Sequence, residues 1–91
     1  MNRAEAKAAA LGFCNAVRAD QGRPRIQNLP PGSPKATLKC PIANATGLAC
    51  DGIGLYEPTG GLNPAVFIPP AVRRFIELFD SGQYPELVKG E

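Results

Sequence analysis

F-I-P-P-A-V-R-R-F-I-E-L-F-D-S-G-Q-Y-P-E-L-V, residues 67–88, decides how the rest of this chain reads. Pro70 suits the first turn of a helix, where a missing N–H costs nothing. Val72, Phe75, Ile76 and Phe79 then recur at i, i+3, i+4 and i+7, which is one face of a helix. Ser81-Gly82 supplies the stop, because glycine takes the left-handed conformation common just past a helix end. Tyr84-Pro85-Glu86-Leu87-Val88 returns a shorter apolar group towards the same face. Four of the six aromatic residues lie in this block, so the core is expected here.

Working outward, residues 3–19 read as an alanine-rich helix with Asn2 as its N-cap. Ala6, Ala10, Phe13, Cys14 and Val17 fall on one face. Gly12 weakens the helix interior by about 1 kcal/mol unless close packing requires it. Asp20-Gln21-Gly22 ends the helix, and Arg23-Pro24 confirms the break, since a residue before proline avoids the α region. Residues 23–39 form a basic, proline-punctuated connection that Ile26, Leu29 and Leu38 are expected to pin to the core. A connection of this length is unusual in a small domain and is either functional, partly mobile or an ordered passive wrap over the core.

Cys40-Pro41-Ile42-Ala43-Asn44-Ala45-Thr46-Gly47 reads as one or two helical turns, with Pro41 at the first position and Gly47 at the close. Residues 48–56 alternate in character as one strand, with Ile53 and Leu55 on one side and Gly52 and Gly54 allowing close backbone approach. Residues 57–64 are a loop by their turn chemistry, and 65–68 a short strand. The two strands are expected to pair as an antiparallel hairpin. The fold class is therefore α+β, a small single domain over residues 1–91. Its elements are an N-terminal helix, a short helix, a β-hairpin, a C-terminal helix and a short terminal helix.

The 91 residues contain ten prolines and ten glycines, which predict many irregular connections. The net charge of +2 hides an asymmetry. Through Lys39 seven cations face two acids, a net of +5; from Cys40 onward three cations face six acids, a net of −3. Such separation either steers an acidic partner to one end or lets the two halves attract each other. No apolar run is long enough to span a membrane, and no apolar leader follows Arg3, so a cytoplasmic protein is expected.

Histidine is absent. Its absence removes the Ser-His-Asp and Cys-His arrangements for nucleophilic catalysis and the commonest zinc ligand. Cys14, Cys40 and Cys50 lack zinc-site spacing, and neither a phosphate-binding loop nor a dinucleotide turn occurs. Cys14 suits the core. Cys40, before a helix and beside Lys39, is the one thiol placed for a lowered pKa, and Cys40 and Cys50 could meet and oxidise. No catalytic, cofactor or metal residue is expected, and a non-enzymatic role follows. The candidate partner-binding residues are Arg18, Arg23, Arg25, Lys35 and Lys39, with the 57–64 loop beside them. The same cations could line nucleic-acid phosphates, which is the alternative reading.

The L-P-P-G at 29–32, C-P-I-A-N-A at 40–45 and P-P-A-V-R-R-F-I-E-L-F-D-S-G-Q-Y-P-E-L at 69–87 resemble small accessory proteins encoded by actinobacterial bacteriophages. The resemblance covers residues 29–87, and its motifs are structural, so it transfers no catalytic residue. It implies a protein that acts by binding a host protein, in takeover of the cell or exclusion of a second phage. A monomer or homodimer is expected.

Overall fold

The computed structural model describes residues 2–34, 40–51, 53–57 and 64–88. Helix α1 runs Arg3–Asp20. Asn2 caps it: its side chain accepts from the Glu5 N–H while the Glu5 carboxylate accepts from the Asn2 N–H, a reciprocal capping box. Ala6, Ala10, Cys14 and Val17 are buried along one side, with Phe13 half-buried beside them. The short helix α2, Pro41–Thr46, begins at Cys40 and closes on Gly47 at φ 75°, as the turn chemistry predicts. Helix α3, Pro70–Asp80, is followed by Gly82 at φ 85° and a 3-10 turn at Pro85–Leu87. Val72, Phe75, Phe79 and Tyr84 are buried, and the Phe75 ring lies 6.2 Å from Phe79 and 4.9 Å from Tyr84. This aromatic group packs α3 against α1, which makes α1 and α3 the main layer contact of the domain.

The expected fold class is present: helices α1 to α3 with a three-stranded antiparallel sheet, one small α+β domain. The run read as a single strand over 48–56 is two strands. β1, Ala49–Cys50, and β2, Gly54–Tyr56, pair antiparallel, with Cys50 opposite Leu55. The reversal lies at Asp51, whose Oδ1 accepts from the N–H groups of Ile53 and Gly54 at 2.7 and 2.9 Å. A side chain that caps its own turn outweighs an alternating pattern. Ile53 consequently sits in the turn, 55% exposed, and does not share the buried side with Leu55.

β2 pairs in turn with β3, Val66–Phe67, which forms the expected hairpin. Gly54 is required there, since a Cβ would come within 2.6 Å of the Pro64 side chain. Gly52 and residues 58–63 lie outside the described residues. Phe67 departs from the core expectation. It is 71% exposed because it stands at the edge strand opposite the bare Gly54.

Candidate functional site

Asn15 and Arg18 of α1 fasten the start of the basic connection, and Arg18 and Gln21, the residue that caps α1, reach across to α2. Asn15 brackets residue 26: its Nδ2 donates to the Ile26 carbonyl at 3.1 Å and its Oδ1 accepts from the Ile26 N–H at 2.8 Å. Arg18 donates from Nε to the Pro24 carbonyl at 2.9 Å and from Nη1 to the Ala45 carbonyl at 2.8 Å. Gln21 donates from Nε2 to the Thr46 carbonyl at 2.8 Å. Ala45 and Thr46 end α2, so Arg18 and Gln21 supply donors to carbonyls that the helix leaves open. Ile26 and Leu29 then sink into the core at intervals, as expected, while Leu38 lies outside the described residues.

The fastened segment forms one wall of an open groove of about 390 Å³, with the solvent face of α1 as its floor. Gly12, Ala16 and Ala19 provide a floor with almost no side chain, and Asn15, Arg23 and Arg25 complete the lining. Nothing lies within 4 Å of where a Gly12 Cβ would stand, so close packing inside the domain does not explain this glycine. Arg23 and Arg25 are both exposed. Arg23 makes one long hydrogen bond to Gln21, 3.3 Å, and among the described residues neither arginine meets an acidic side chain.

Of the five candidate cations, the structure brings Arg23 and Arg25 together at the groove. Arg18 belongs to the fold instead. It is 8% exposed, and its guanidinium is turned inward to the Pro24 carbonyl and to the buried Ala45 carbonyl. Lys35 and Lys39 lie outside the described residues. The sequence reading passed over Asn15 and Gln21. Their signal is a polar row at 15, 18 and 21, running along and just past an alanine-rich helix in which asparagine is a poor helix former.

The cysteines lie apart from this groove. Cys14, Cys40 and Cys50 are all buried and unbridged. Among the described residues no group of three or more His, Cys, Asp or Glu is placed to hold a metal ion, and no helix is long and apolar enough to cross a membrane.

The small α+β architecture with a basic groove is as far as likeness carries. No protein-family model matches the chain, and comparison with curated proteins and with solved structures finds no significant match.

Proposed function

We propose that this chain is a non-enzymatic binding module that engages an acidic surface of a partner protein through the groove at Arg23 and Arg25. The observation that carries the reading is the pair of exposed guanidinium groups that meet no acidic side chain among the described residues, held over a floor of glycine and alanine. Arginine is suited to this work, because its planar fork matches a carboxylate with two parallel hydrogen bonds. The domain commits Asn15 and Arg18 to holding the segment in place, so the backbone that carries the two charges is fixed before binding. Resemblance to bacteriophage accessory proteins makes a host protein the natural partner and the cytoplasm of an infected cell the place.

The test is affinity capture from a nuclease-treated actinobacterial lysate, comparing wild type with an Arg23→Ala/Arg25→Ala double variant that melts at the same temperature. Capture of a protein by wild type, lost in the double variant and weakened by salt, supports the reading. Equal capture by both overturns it. Retention on DNA with a steep salt dependence, and no protein captured, moves the same cations to the nucleic-acid alternative.

A further inference from the structure

From Arg23 to Leu29 the backbone runs back along α1. The Arg23 N–H donates to the Arg18 carbonyl at 2.8 Å, Asn15 brackets Ile26, and Leu29 arrives over the first turns of the helix. There a second, apolar hollow of about 220 Å³ opens on Ala4, Lys7, Ala8 and Leu11, with Asn28 and Leu29 as its wall. Each of these α1 residues has a counterpart eight positions on in the arginine groove: Gly12, Asn15, Ala16 and Ala19. The two hollows therefore lie end to end along α1, about 12 Å apart at the helical rise of about 1.5 Å per residue. Their chemistry differs. Glu86 takes the Lys7 ammonium at 3.1 Å, which leaves the Lys7 methylene stem in a hollow shaped by Leu11 and Leu29. The other hollow carries the charges of Arg23 and Arg25.

We infer that the two hollows form one trough and that its occupant is a single amphipathic helix of the partner protein. One apolar side chain of that helix fills the hollow at Leu11 and Leu29, and its carboxylates meet Arg23 and Arg25 about two turns along. The inference rests on the acidic-partner reading of the groove and names the element that carries the acid. Charge complementarity fixes which end of the occupant is acidic, because the cations without an acidic neighbour among the described residues stand at one end of the trough. At the other end the hollow is smaller than the about 300–1,000 Å³ that encloses a small molecule, which suits it to one side chain.

The floor selects a helix over an extended segment. Ala4, Ala8, Gly12 and Ala16 stand at every fourth residue of α1, all exposed, and none has a side chain that can donate or accept a hydrogen bond. An extended segment laid on that floor leaves backbone N–H and carbonyl groups facing methyl groups, whereas a helix has already paired its own. A row of minimal side chains at this spacing is also a depression into which a ridge of a second helix packs. The offset of about 12 Å then sets the occupant's apolar and acidic side chains about seven or eight residues apart on one face.

The experiment adds synthetic peptides to the nitrogen-15-labelled full chain and follows its backbone amide and arginine Nε–H signals. The probe is a stapled helix of alanine and glutamine bearing one leucine and, seven and eight residues on, two glutamates. A second probe carries them in the reverse order, and control probes replace the leucine with alanine. One of the two orders is expected to move the signals of Ala8, Leu11 and Leu29 together with those of Arg23 and Arg25. That order is expected to bind about tenfold or more tightly than its control without leucine. Ala8→Gln fills the apolar hollow from an exposed position with a good helix former, and is expected to abolish the leucine's advantage while the shifts at Arg23 and Arg25 persist. Shifts confined to Arg23 and Arg25, or equal affinity with and without leucine, overturn the inference and leave the acidic-partner reading standing. No shift with either order also overturns it, and lysate capture with the Arg23→Ala/Arg25→Ala variant then decides that reading separately.

Discussion

Arg18 and Arg25 are the same residue type in the same basic half, yet they do unrelated work. Arg18 faces inward near the end of α1, where two carbonyls from separate segments converge on its guanidinium. Arg25 faces outward from the segment those bonds hold. Truncating Arg18 leaves the buried Ala45 carbonyl without its donor, so Arg18→Ala is expected to lower stability by about 1–3 kcal/mol in denaturant unfolding. Arg18→Lys is expected to recover little, because one ammonium cannot reproduce a planar fork bridging two acceptors. Arg23→Ala, at an exposed position, is expected to stay within about 0.5 kcal/mol of wild type. A similar loss for both would show that Arg18 is not the fastening. Nothing in a list of cations separates these two roles; burial alone does.

At the scale of elements, α1 is the most legible part of the chain and also the least economical. Its cap, its length and its buried face follow from Asn2, Glu5 and the Ala6, Ala10, Cys14, Val17 spacing. Its outer face carries Gly12 where any helix former would fit. Gly12→Ala is therefore expected to raise stability by about 1 kcal/mol, read from denaturant or thermal unfolding. The added methyl also rises from the floor of the groove, so the same variant is expected to bind the captured partner more weakly. A stability gain with unaltered binding would mean that the groove floor is not used. Asp51 teaches the opposite lesson about legibility. The alternation over 48–56 read as one strand, but Asp51 turns the chain through two hydrogen bonds to backbone N–H groups and makes two strands of it. Local turn chemistry was the better guide there.

Over the whole molecule, the charge asymmetry is partly consumed inside the fold. Arg3 and Lys7 at the basic end meet Glu86 at the acidic end, at 2.9 and 3.1 Å, and the Tyr84 hydroxyl donates to the Arg3 carbonyl at 2.6 Å. The Arg3 guanidinium also lies 4.9 Å from the centre of the Tyr84 ring. These contacts clasp the two ends of a chain whose radius of gyration, 12.0 Å, is that of a compact domain of its length, about 12 Å. The Glu86 carboxyl is held below its ordinary value of 4.5 by its own backbone N–H, then by Lys7 and Arg3. Because the folded value is the lower one, the clasp contributes fully above the unfolded value and is lost as pH falls through the folded one. Thermal melts taken from neutral pH to below 4.5 are expected to fall more for wild type than for Glu86→Gln. Parallel curves would show that the clasp adds nothing. With Arg3 and Lys7 engaged and Arg18 buried, the cations left facing outward in the described basic half are Arg23 and Arg25.

By itself the sequence determined the helices, their caps and the aromatic core, because caps, glycine stops and 3.6-residue spacing act over a few neighbouring residues. It also marked residues 23–39 as the unusual segment, through composition alone. Only the tertiary structure decided which cations are exposed and that Phe67 lies outside the core. Those outcomes depend on which distant backbone a side chain finds beside it: a carbonyl of α2 for Arg18 and a bare glycine opposite Phe67. Periodicity carries the direction a residue faces within its own element, and packing between elements settles what it faces.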